Sequence, residues 1–139
     1  MENGSSEMTY ILVVDDEPDV LSLVETQLEM AGYQVHTAAS ALDAMRVLRE
    51  EGPPLLGVID VAMPELSGLD LVRVLRGRPD TAAIPVVFLS AKVLPSDVAA
   101  GESLGASYVT KPFTRTSLLG AIEAELRSGC GRPVAAAEG

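Results

Sequence analysis

The stretch YILVVDDEPDV, Tyr10 to Val20, runs four apolar residues, Ile11 to Val14, straight into three acids, Asp15, Asp16 and Glu17. The apolar half reads as a buried strand, and the acids stand at its carboxyl end. Adjacent carboxylates at the end of a buried strand repel one another, so their placement calls for something that needs negative charge there.

Working outward, the same pattern recurs. After the first strand, Pro18 to Ala31 carries apolar residues at Val20, Leu21, Val24 and Leu28, a helical spacing, with Pro18 suited to the first turn and Gly32 to the position past the end. QVHTA is a short second strand. Ser40 is a candidate cap for the helix ALDAMRVLREE, with Asp43 three residues on, and Gly52 closes it. Leu55 to Asp60, LLGVID, is a third apolar run, again ending in an acid. After the loop VAMPEL, Ser67 opens a helix through Leu69, Val72 and Leu75. Pro85 to Ser90 is a fourth strand. PSDVAAGESLG reads as a helix weakened by Gly101, SYVTKPF as a fifth strand entering a loop, and TSLLGAIEAEL as the last helix. GCGRPVAAAEG has no periodicity and is expected to form a mobile tail.

Strand followed by helix, five times over in 139 residues, predicts a single α/β domain with a parallel sheet covered on both faces. The expected division is an N-terminal extension over 1–7, a domain over 8–128, and a tail or linker start over 129–139. Ligands of such folds sit beyond the carboxyl ends of the strands. Asp15, Asp16, Asp60, Ser90 and Lys111 all fall there, and should share one rim.

Composition narrows the function. A hydrophobic content of 47% supports one core, and no apolar run approaches the ~20 residues that span a bilayer. The opening MENGSSEMT lacks the basic start and apolar centre of a secretion signal, and the single Cys130 cannot form an internal disulfide, so a cytoplasmic setting is expected. The net charge of −10 disfavours direct binding to nucleic acid or to anionic lipid, and suits metal ions or basic partner surfaces.

Three carboxylates at one rim, with no histidine or cysteine among them, favour a hard divalent cation such as Mg²⁺. Lys111 adds a cation of its own and Ser90 a hydroxyl. Acids with metal, a carboxylate nucleophile, a hydroxyl donor and an ammonium group match the needs of a transferring phosphoryl group, whose equatorial oxygens carry the charge.

With those residues in view, the chain resembles the response-regulator receiver domains of two-component signalling over roughly Met8 to Ser128. The segments VVDDE, VIDVAMPELSG, VVFLSA and YVTKPF carry the resemblance, in order and at consecutive strand ends. It implies a flavodoxin-like, doubly wound (βα)5 domain with strand order 2-1-3-4-5. Asp60 would be the phosphoacceptor. Asp16, Asp15 largely through water, Asp60 and the Ala62 carbonyl would hold Mg²⁺, with Mn²⁺ as a substitute. Lys111, the Ser90 hydroxyl and the Ala91 N–H would contact the phosphoryl group, and Tyr108 would swing inward as the hydroxyl moves. Lys111–Pro112 matches a peptide that such domains usually hold cis. Met63–Pro64 would shape the loop, and Gly68 would let the next helix begin close to the site.

The implied partners are a sensor histidine kinase or phosphotransfer protein, and an output domain or downstream protein. The latter would read the face made by the fourth predicted helix, the fifth strand and the last helix. The domain would be a monomer or a phosphorylation-dependent dimer, and would catalyse only its own phosphorylation and dephosphorylation. Ser90 stands where threonine is frequent. Ala62 and Lys92 occupy positions that tune phosphoryl lifetime, and because alanine cannot orient a water, slow self-dephosphorylation is expected. His36 is expected to be a packing or surface residue, and Glu25, Glu29, Glu50 and Glu51 to be solvated. Two other readings stay open: a Mg²⁺-dependent phosphohydrolase working through an aspartyl-phosphate, disfavoured by alanine where a second acid would stand at 62, and a receiver-shaped scaffold that is never phosphorylated.

Overall fold

The computed structural model describes residues 9–63, 66–90 and 106–138, with side chains through Arg127. Five strands form one parallel sheet: β1 (Ile11–Val14), β2 (Val35–Ala38), β3 (Leu56–Asp60), β4 (Val86–Ser90) and β5 (Ser107–Thr110). Their spatial order is β2-β1-β3-β4-β5. Every pairing is parallel, with Ile11 opposite Val35 and Leu56, Asp60 opposite Leu89, and Ser90 opposite Thr110. The flavodoxin-like order expected from the sequence is the one observed.

The helices among the described residues are α1 (Pro18–Met30), α2 (Ala41–Glu51), α3 (Gly68–Arg76) and α4 (Arg115–Glu138). Successive side chains of a strand point to opposite faces, so each strand feeds two cores. Ile11 and Val13 join Val58, Val87 and Leu89 beneath α1 and α4, which contribute Val24, Leu28, Leu118 and Ile122. Leu12 and Val14 join Ile59 and Phe88 on the other face, beneath α2 and α3, which contribute Ala44, Val47, Leu71 and Leu75. A strand buried on both faces must be apolar at every position, which is why ILVV and VVFL read as unbroken runs instead of alternating ones.

The helix ends follow local chemistry. Pro18 is at the start of α1, where its missing N–H is not needed. The Ser40 hydroxyl accepts from the Asp43 N–H at 3.0 Å, and the Ser67 hydroxyl from the Asp70 N–H at 3.1 Å, as the sequence leads one to expect. Gly52 ends α2 at φ 84°, a backbone region that side chains disfavour, and its carbonyl accepts from the Tyr10 hydroxyl at 2.6 Å. Burial, with Glu51 nearby, pushes the Tyr10 phenol up to about 12. His36 packs edge-on against Tyr10 and lies 3.6 Å from Glu51, a half-exposed structural residue as expected.

One boundary differs from the sequence reading. The apolar stripe of the last helix stops at Leu126, yet the helical backbone runs on to Glu138, where an aperiodic tail was expected. Ala135 to Ala137 favour helix by propensity, whereas Gly129, Gly131 and Pro133 in the same run do not. No described helix is long and apolar enough to cross a membrane. The expected fourth helix with Gly101, together with Ala91, Lys92 and Pro64, lies outside the described residues.

Candidate functional site

In a sheet of this order the chain leaves β1 in one direction and returns to β3 on the other side, opening a crevice at the carboxyl ends of the two strands. Asp15 follows β1 and Asp60 ends β3, so both sides of the crevice carry an acid. Backbone bonds hold the rim together. Asp15 N–H donates to Ala38 O at 3.1 Å, Val61 N–H to Leu89 O at 2.9 Å, and Lys111 N–H to Ser90 O at 2.8 Å.

Each of Asp15, Asp16 and Asp60 offers a carboxylate oxygen within 4.8 Å of the others. Asp15 and Asp60 are buried, whereas Asp16 is exposed. Asp15 Oδ1 accepts from the Glu17 N–H at 2.9 Å and Oδ2 accepts from Lys111 Nζ, also at 2.9 Å. Lys111 Nζ lies 3.4 Å from Asp60 Oδ1 and 3.4 Å from Glu17 Oε1. Three carboxylates, those of Asp15, Asp60 and Glu17, thus face one ammonium group. Burial, reinforced by Asp15, pushes the Asp60 carboxyl up to about 6 against the opposing pull of Lys111. Burial disfavours the Lys111 charge, but its hydrogen bond to Asp15 and the nearby Asp60 outweigh this and raise it above an ordinary lysine.

The donor set is oxygen-only, convergent and over-charged, so it fits a hard divalent cation. A cleft of about 260 Å³ opens on it, lined by Asp16, Glu17, Asp60, Ala62 and Lys111. Clefts of about 460 and 380 Å³ at the opposite end of the sheet are lined mainly by apolar groups such as Ile11, Tyr33, Leu55 and Ile84, with no cluster of charged groups. The chemistry therefore belongs to the smaller one.

Ser90 is buried at the end of β4, one residue beyond the Asp60 partner Leu89. Tyr108 is half-buried on β5, its ring 5.2 Å from that of Phe88. The Lys111–Pro112 peptide is cis. Gly68 approaches the site as expected: a Cβ there would lie 2.1 Å from the Asp60 carbonyl oxygen. Glu17 was not assigned a role from the sequence. It lines the cleft and shares Lys111, and the only sequence signal for it was its place directly after the acidic pair.

Residues 11–123 match the response regulator receiver domain family. The transcriptional regulatory protein KdpE of Mycobacterium tuberculosis is 40% identical over 132 residues, covering 94% of this chain and 55% of that protein. The probable transcriptional regulator ycf27 of Pyropia yezoensis is 39% identical over 128 residues, covering 91% of this chain and 50% of that one. This chain therefore spans about half the length of the curated relatives it matches. Among solved structures, the chemotaxis protein CheY4 of Vibrio cholerae superposes with a TM-score of 0.79 at 28% identity, over 85% of this chain and 98% of that one. A five-stranded sheet in receiver order, an acidic crevice crossed by a lysine, and the match over most of its length lead to one conclusion: the chain belongs to the response regulator receiver domain family.

Proposed function

We propose that this receiver domain, taken as residues 8–128, is a phosphorylation-driven switch whose phosphoacceptor is Asp60. The observation that carries the reading is the reach of Lys111, whose ammonium stands between the buried carboxylates of Asp15 and Asp60, at 2.9 and 3.4 Å. A phosphoryl group on Asp60 would meet this cation at once, and receives its charge stabilisation from groups already in place. The Ser90 hydroxyl and the Ala91 N–H are the further donors. Asp15, Asp16, Asp60 and the Ala62 carbonyl would hold Mg²⁺, or Mn²⁺ in its place. The metal supplies positive charge to the phosphoryl oxygens.

The donor is a sensor histidine kinase or phosphotransfer protein in the cytoplasm. Occupancy of Asp60 draws Ser90 toward the phosphoryl oxygens, and Tyr108 follows into the space released. The change reaches an output domain or downstream protein through the surface around β5 and α4, with the domain a monomer or a dimer formed on phosphorylation. Ala62 presents only a methyl group to the cleft and orients no attacking water, so the phosphoryl group is long-lived, with Lys92 as the second tuning position. That methyl also weighs against a phosphohydrolase, which would want an acid there.

Incubation of the purified chain with acetyl phosphate and Mg²⁺ is expected to add one phosphoryl mass to the wild type and none to Asp60→Asn. Equal labelling of both proteins would remove Asp60 from the role.

A further inference from the structure

Glu17 is the one acid of the opening run that neither the metal cluster nor the phosphoacceptor assignment uses. Its carboxylate lies 3.4 Å from Lys111 Nζ, so the ammonium that reaches Asp15 and Asp60 is shared three ways. The two partners differ in freedom. The Lys111 side chain is 15% exposed, whereas that of Glu17 is 62% exposed at the mouth of the cleft. The Glu17 backbone is tied down by its N–H bond to Asp15 and by the start of α1 at Pro18. Its side chain is thus a tethered charge that can hold the lysine or release it.

Building on the phosphoacceptor reading of Asp60, we propose that Glu17 is a positioning residue that competes with the incoming phosphoryl group for Lys111. It thereby slows phosphorylation, most for the most negatively charged donors. In the transfer an Asp60 oxygen attacks phosphorus. The P–O bond of acetyl phosphate breaks and acetate leaves with the bonding pair. With phosphoramidate the P–N bond breaks and the already protonated nitrogen leaves as ammonia. In both, Lys111 must turn from Glu17 to the phosphoryl oxygens as charge builds on them. A carboxylate at the mouth also repels a dianion, acetyl phosphate, more than phosphoramidate with its single net charge, and such rim charges act chiefly on encounter and on salt dependence.

The test is Glu17→Gln, which keeps the side-chain length and the backbone bond to Asp15. At low ionic strength it is expected to be phosphorylated about three- to tenfold faster by acetyl phosphate, with a smaller gain for phosphoramidate. Both gains should shrink at 0.5 M NaCl, and Glu17→Asp should stay near the wild type. The Lys111 ¹³Cε resonance should move in Glu17→Gln and stay in place in Glu25→Gln, a change elsewhere on α1. Wild type labelled on Asp60 while Glu17→Gln reacts no faster, or a Lys111 signal that does not move, overturns the role of Glu17 alone. Wild type that takes no label, or Asp60→Asn that takes as much, overturns the phosphoacceptor reading and this proposal with it.

Discussion

Asp60 is held in an environment that opposes its ionisation. Its carboxyl stands at about 6 in the folded protein, above an ordinary aspartate, because burial and then Asp15 raise it more than Lys111 lowers it. The folded state therefore keeps this proton in a pH range where the unfolded chain has lost it. The stabilising contribution is complete below about pH 4 and is lost as pH rises through 6. At neutral pH without metal, the ionised carboxylate costs about 1–3 kcal/mol. Asp60→Asn removes that cost while Lys111 keeps its bond to Asp15. In chelator, urea unfolding should show the variant more stable than wild type by about that amount at pH 7, with the advantage fading toward pH 4. An advantage of the same size at both pH values would mean that ionisation at Asp60 is not its source.

At the scale of elements, the crevice depends on α3 starting against β3. The Gly68 N–H donates to Val61 O at 2.9 Å, and a Cβ at this residue would sit 2.1 Å from Asp60 O and 2.9 Å from Ile59 Cγ2. The nearest obstacle is backbone, which has no rotamer to yield. Gly68→Ala should push α3 away from the end of β3, destabilising the fold by about 2–4 kcal/mol. Thermal unfolding measures this, and a loss below about 0.5 kcal/mol would show that α3 shifts without resistance. Much of this arrangement was legible beforehand. Runs such as ILVV and VVFLS, closed by acids or hydroxyls, announced strands buried on two faces with their chemistry at the ends. Ser40, Ser67 and Gly52 marked helix ends through bonds they make locally. What stayed hidden depends on tertiary placement. Asp15 and Asp16 are adjacent in sequence, yet one is buried against Lys111 and the other exposed, because the chain turns out of the sheet between β1 and α1. Glu17 meets a lysine 94 positions away, a contact that no local pattern encodes. The helical run past Leu126 has no apolar periodicity in the sequence to signal it.

Over the whole molecule, the acid excess of the crevice lies within a chain of net charge −10, so the metal-free fold carries repulsion both locally and globally. A divalent cation bound among Asp15, Asp16 and Asp60 would relieve the local part, and it would bind the folded state because only folding brings the three carboxylates within 4.8 Å. Binding of this kind stabilises by mass action, by roughly 1.4 kcal/mol when the free ion is at ten times its dissociation constant. For a domain of this size that corresponds to a rise in melting temperature of about 3–6 °C. The rise in MgCl₂ over chelator should be full at pH 7.5 and smaller at pH 5, where the Asp60 proton competes with the ion. Screening of the overall charge predicts a different pattern, since any salt of the same ionic strength would then do as well as magnesium, and Asp60→Asn would respond like the wild type. Melting the two proteins in MgCl₂ and in NaCl at matched ionic strength separates the cases. Equal shifts in the two salts would mean that the acids at the strand ends hold no ion in common.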